Sequence, residues 1–111
     1  MKLGDVIITP IPQADGRIKN RPAVLLCELP PFGDVLVCGI SSQVQREVVG
    51  FDEIIQINDS DFDISGLKTD SLIRLGFLSV LPVKKIIGTI GSLSPERHRR
   101  LLQNLANHLL K

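Results

Sequence analysis

Tryptophan and tyrosine are absent from this chain of 111 residues, and phenylalanine occurs only four times. A surface that reads single-stranded nucleic acid by stacking bases on rings therefore has few rings to offer. Cysteine occurs twice, at Cys27 and Cys38, which is too few for a disulfide scaffold. Both sit inside apolar runs, where a free thiol behaves as a small hydrophobe. The two histidines, His98 and His108, fall late in the chain and away from any cysteine or carboxylate cluster, so neither a metal site nor a cofactor is expected. No apolar run approaches the roughly 20 residues of a membrane helix, so no membrane partner is expected. The N-terminus reaches Asp5 before any signal-peptide core forms, and the expected compartment is the cytoplasm. Charge excess is missing too: thirteen Lys and Arg face twelve Asp and Glu, for a net charge of +1. That balance excludes a protein that coats DNA generally and leaves any nucleic-acid contact to a local patch.

What is present suits one soluble domain over residues 1–111, with 43% hydrophobic and 23% charged residues. Val6-Ile7-Ile8-Thr9 is a β-rich run, and Pro10 and Pro12 are expected to end the strand there or to mark it as an edge. A polar loop through Asp15-Gly16 follows, to about residue 20. Ala23 to Leu29 and Asp34 to Ser41 are the strongest strand candidates, joined by Pro30-Pro31-Phe32-Gly33 as a hairpin. Further strands are expected at Asp52–Ile57, Ser71–Leu75, Phe77–Leu81 and Val83–Ile90. Asn58 to Asp63 carries three acids but lacks the glycine and terminal glutamate of a calcium loop, and reads as a solvated turn. Ser94-Pro95-Glu96 then supplies an N-cap, a first-turn proline and a first-turn acid. Leu101, Leu102, Leu105 and Leu109 recur at helical spacing, with Arg97, Arg99 and Arg100 on the polar side. The expected architecture is mainly β: a strongly bent antiparallel sheet or barrel closed by one C-terminal amphipathic helix.

Within this frame Arg21 stands at the mouth of an apolar strand, where a guanidinium can stay wet and grip an anion in a fixed fork. A hairpin that pairs Leu29 with Asp34 sets Arg21 opposite Ser42, and a slip of one residue sets it opposite Ser41. Either register brings the arginine to the polar turn Ser41-Ser42-Gln43.

Five stretches in order carry a family pattern: Gly4-Asp5-Val6, Asn20-Arg21-Pro22-Ala23-Val24-Leu25, Ile40-Ser41-Ser42-Gln43, Thr69 to Leu75, and Ile86 to Glu96. Together they resemble the MazF/PemK toxins of type II toxin–antitoxin systems, from residue 4 to the end of the chain. The resemblance implies an SH3-like barrel of the CcdB/PemK superfamily and a homodimer. It implies an endoribonuclease that cuts single-stranded RNA (mRNA) without metal, leaving a 2′,3′-cyclic phosphate and a 5′-hydroxyl and so inhibiting translation. The implied partners are a cognate antitoxin that blocks the site and, only through the antitoxin complex, operator DNA. Arg21 matches the catalytic arginine and Ser41 the hydroxyl residue, usually threonine, which favours the slipped register.

The chemistry suits that pair, because cleavage by a 2′-hydroxyl builds negative charge on phosphorus that fixed donors stabilise. The family assigns acid–base work to the arginine, although a guanidinium with a pKa above about 12 is a poor proton acceptor. Arg17, Lys19, Asn20, Ser42, Gln43, Arg46 and Arg74 are further candidate RNA contacts, and Ser71 is expected to be structural. The chain departs from the pattern at Gly76-Phe77, where many relatives carry a polar pair; Phe77 is expected to be buried. Two other functions fit the same barrel: a non-enzymatic toxin that binds DNA gyrase as CcdB does, and a catalytically dead RNA- or protein-binding module. The Arg21/Ser41 pair separates the nuclease from the gyrase binder, which does not need it; tight RNA binding without products would mark the inactive module.

Overall fold

A computed structural model, which describes residues 1–111, shows six antiparallel strands curled into a half-barrel and one C-terminal helix. The strands are β1 (Asp5–Pro12), β2 (Ile18–Leu29), β3 (Asp34–Ser41), β4 (Glu53–Ile55), β5 (Ser71–Leu81) and β6 (Gly88–Ser92), and the helix is α1 (Pro95–Leu109). Their order in the sheet is β4-β5-β3-β2-β1-β6. The bent antiparallel sheet and final helix expected from the patterning are what forms.

Several boundaries differ from the sequence expectation, each for a local reason. β1 does not stop at Pro10 but runs to Pro12, pairing Pro10 with Asn20 and Pro12 with Ile18. The carbonyl of Ile8 accepts from the Ile87 amide, so residues 8, 10 and 12 turn their nitrogens to the β6 side. Pairing with β6 ends at Ile8, and the prolines leave no ladder bond broken there. The expected loop shrinks to a tight turn in which Gly16 (φ +84°) sits between Gln13 and Arg17. β5 is one continuous strand rather than two. Val83–Lys85 is a 3₁₀ turn and not strand.

Both faces of the sheet are apolar. One buries Val6, Val24, Leu26, Ile73 and Leu75 beneath Leu101 and Leu105 of α1. The other packs Ile7, Ala23, Leu25 and Val37 in a smaller cluster. Leu101 and Leu105 each contribute on the order of 1.5–3 kcal/mol by leaving water. Leu109, on the same helical repeat, lies past the edge of the sheet and stays 71% exposed.

Two features hold the sheet curled. Gly91 of β6 crosses the 3₁₀ turn Asp63–Ser65 so closely that a Cβ there would strike the Ser65 backbone. Gly66, at φ +72°, likewise has no room for a Cβ against the Ile90 carbonyl. The second feature corrects the reading of the acidic turn. Arg97 is not on the solvent face of α1; it is 7% exposed and lies among the acids. Its Nε and Nη2 donate to both oxygens of Asp61 at 2.7 and 3.1 Å, Nη2 donates to Asp59 at 3.1 Å, and Nη1 donates to Glu53 and to the Ile54 carbonyl at 3.0 Å each. All five guanidinium donors are thus used. Arg100 adds a bond to Glu53 at 3.1 Å, and the N-cap hydroxyl of Ser94 donates to Asp61 at 3.0 Å while accepting from the Arg97 amide.

The same arginine holds the Asp61 carboxyl below the usual carboxylate range, mainly by its hydrogen bonds and against the opposing effect of burial. A depressed folded pKa contributes stability that is complete above the unfolded value and is lost as pH falls through the folded one. The urea midpoint of the wild type should therefore fall on acidification below about pH 4, and by less in Asp61→Asn, whose side chain does not titrate; equal pH slopes would contradict the coupling. Arg97→Ala leaves the acids without their cation and should cost about 3–5 kcal/mol in chemical denaturation.

Candidate functional site

The ladder between β2 and β3 begins in one register and ends in another. Leu29 pairs with Asp34 and Cys27 with Leu36; beyond Leu26 the partners slip by one, so that Leu25 pairs with Val37 and Ala23 with Gly39. Leu26 is the extra residue of a bulge, and its carbonyl receives His98 Nε2 from α1 at 2.9 Å, which places the proton on that nitrogen. Carried two residues further, the slipped register sets Arg21 opposite Ser41. Both alternatives open at the sequence level thus occur, one at each end of the hairpin.

A second irregularity lies across β3. Gly39 pairs with Arg74 and the preceding Cys38 with Leu78, so Leu75, Gly76 and Phe77 face no residue of β3. Leu75 drops into the helix-side core, and its freed amide donates to Asp52 Oδ1 at 3.0 Å. The other oxygen of Asp52, which is buried, accepts from the Val48 amide at 3.0 Å. One carboxylate therefore satisfies the bulge and ties it to the segment that follows the 3₁₀ turn Val44–Arg46. Phe77 turns to the opposite face and lies over Gly39, where an added Cβ would come within 3.1 Å of its ring.

The two register changes open a cleft of about 400 Å³ on the face away from α1. Arg21, Ser41, Ser42, Gln43, Arg46 and Arg74 all line it, together with Gln13 and Phe77. Ser41 Oγ accepts the Gln43 amide at 3.1 Å, which fixes the hydroxyl and leaves its own proton free to donate. Arg21 is exposed and has one long contact, Nη2 to Gln13 Oε1 at 3.5 Å. None of the three arginines forms an ion pair, and no carboxylate or imidazole lines the cleft. Three unneutralised guanidinium groups around a fixed hydroxyl make a receptor for an anion with several oxygens.

The other candidates stand apart. Arg17, Lys19 and Asn20 are exposed on the β1–β2 hairpin, outside the cleft lining. Arg17 is drawn toward Asp15 at 3.8 Å, and Asn20 has the opposite strand parity to Arg21. Ser71 is buried, with its hydroxyl donating to the Thr69 carbonyl at 2.8 Å. Phe77, expected in the core, is only half-buried and faces the cleft. Sequence reasoning gives Gln13 no role; its place in the polar stretch before Arg21 is the one signal that points to it. Cys38 lies in the core, where burial pushes its thiol up to about 12 and leaves it inert.

Residues 2–109 match the family model of PemK-like, MazF-like toxins of type II toxin–antitoxin systems. A search of curated proteins gives no match. Among solved structures the fold is similar to that of the Mycobacterium tuberculosis toxin MazF-mt6, with a TM-score of 0.68, 20% sequence identity and 95% of each chain covered.

Charge in the cleft makes a measurable prediction. Binding of a single-stranded oligodeoxynucleotide should weaken with salt, and Arg21→Ala or Arg46→Ala should each flatten the log–log slope by about 0.7 for every phosphate that the missing guanidinium would have neutralised. A slope unchanged by both substitutions would exclude the cleft as the anion site.

Proposed function

This chain belongs to the PemK-like, MazF-like toxin family of type II toxin–antitoxin systems, whose members are generally endoribonucleases, and from that membership we propose that its cleft cuts single-stranded RNA by attack of a ribose 2′-hydroxyl on the adjacent phosphate. The observation that carries the reading is that Arg21, Arg46, Arg74 and Ser41 line one cleft that has no acid in its lining. In the reaction the 2′-oxygen bonds to phosphorus and the bond to the 5′-oxygen breaks. The products are a 2′,3′-cyclic phosphate and a 5′-hydroxyl. One proton leaves the 2′-oxygen and one ends on the 5′-oxygen.

Arg21 and Ser41 act on the charge that builds on the non-bridging oxygens. The guanidinium offers a fork of donors, and the hydroxyl is already oriented by the Gln43 amide. Donors fixed in advance stabilise the transition state without reorganising, and loss of one costs about 10²–10³ in rate. The lining holds neither imidazole nor carboxylate, and the contribution of Arg21 and Ser41 is electrostatic. Substrate and partners follow from the same reading: single-stranded mRNA as target, a protein antitoxin that covers the cleft, a homodimer, and the cytoplasm as compartment. No helix of the chain is long and apolar enough to cross a membrane.

Purified protein incubated with a long single-stranded RNA in chelator should give discrete cuts with 5′-hydroxyl ends. Arg21→Ala should lose cleavage, Ser41→Ala should slow it by about 10²–10³, and Ser41→Thr should retain it. The rate should rise between pH 6 and pH 8 without the inflection of an imidazole base. Cleavage that survives Arg21→Ala would sink the assignment.

A further inference from the structure

We propose that Phe77 and Arg74 form a nucleobase-stacking subsite beside the phosphate position at Arg21 and Ser41; the inference rests on the functional reading above and names what the cleft holds next to the phosphate. Of the four phenylalanines, Phe62 is buried, Phe51 packs against the helix-side core and His108, and Phe32 is 87% exposed on the β2–β3 turn. Phe77 alone lines the cleft. Its position follows from two devices. The bulge at Leu75–Phe77 turns the side chain to the cleft face, and Gly39, lacking a Cβ, leaves a flat floor on which the ring lies. A larger residue at position 39 would displace it, since even a Cβ approaches the ring to 3.1 Å.

The Arg74 guanidinium carbon stands 5.9 Å from the ring centroid and has no carboxylate partner. Ring and cation together present a π-face and a planar donor, the two elements that hold an unpaired base irrespective of its identity. The distance is right for a neighbouring base. Gly39 lies two residues from Ser41 along β3, a separation of about 6.6 Å, so the platform begins one step from the fixed hydroxyl. The subsite should therefore depend on stacking rather than on hydrogen bonds to base edges, and tolerate base substitution at that position better than base removal.

The test uses a short single-stranded RNA carrying the mapped cut sequence, with a 2′-deoxy residue at the scissile position so that it binds without reacting. 2-Aminopurine is placed on either side of that position in turn. Wild type should change the fluorophore's emission at one flank only, Phe77→Leu should abolish that change while keeping the wild-type circular dichroism, and Phe77→Tyr should keep the wild-type affinity. Removing the base at that flank should weaken binding to wild type roughly 5- to 150-fold, the range that base–aromatic stacking spans, and should hardly change binding to Phe77→Leu. An abasic cost equal in both proteins, or an emission change that survives Phe77→Leu, overturns the subsite while the nuclease reading stands. A wild type that neither binds nor cuts RNA overturns both.

Discussion

Arg97 joins the two ends of this fold. It leaves the first turn of α1, the element that follows edge strand β6, and ends among Glu53, Ile54, Asp59 and Asp61, in and after the opposite edge strand β4. A flat six-stranded sheet would hold those edges far apart. The guanidinium, with every donor occupied, draws them together over the helix-side core. Taking such a cluster out of water is expensive, and a buried ion pair gains little over a well-packed apolar substitute. Burial alone works against the Arg97 charge, yet the Asp61 hydrogen bonds and the surrounding carboxylates hold its pKa above the ordinary value. What the cluster supplies is geometry, because five directed bonds admit one placement of α1.

Once α1 covers one face, the polar groups freed by the two bulges must find partners from elsewhere in the chain. The Leu26 carbonyl receives His98, and the Leu75 amide finds Asp52. No buried side-chain polar atom is left without a hydrogen bond. These contacts make the bulges tolerable, and the bulges in turn place the residues of the cleft. The first shifts Arg21 from the level of Ser42 to that of Ser41. The second drops Leu75 into the core and turns Phe77 over Gly39. Helix, bulges and cleft are thus one mechanical system, with the scaffold on one face of the sheet and the cleft on the other.

Electrostatics divides along the same line. Acids concentrate around Arg97 and Arg100 on the scaffold side, while the cleft keeps Arg21, Arg46 and Arg74 free of counter-charge. A chain of net charge +1 can therefore present a strongly cationic site. Its field is local, which suits recognition of a particular phosphate better than general attraction to a polyanion.

The strand-rich pattern, the capped C-terminal helix, the family, and the nearness of Arg21 to the Ser41-Ser42 turn are all legible in the order of residues. The structural ones among these rest on short-range signals: alternation, an N-cap, and a hairpin whose turn is only a few residues long. Long-range contacts settled the rest. The register between Arg21 and Ser41 depends on a bulge whose carbonyl is satisfied by a histidine 72 residues away in sequence. The acidic turn looked solvated because its cation, Arg97, is 36 residues further on, at a helical position that spacing alone assigns to solvent. Phe77 reads as core because strand alternation cannot anticipate three unpaired residues, and the polar stretch before Arg21 does not single out Gln13 until the hairpin folds it beside the arginine. Local propensity is written within a few residues of where it acts, whereas the partner of a freed backbone group or a buried charge is chosen by the closed fold.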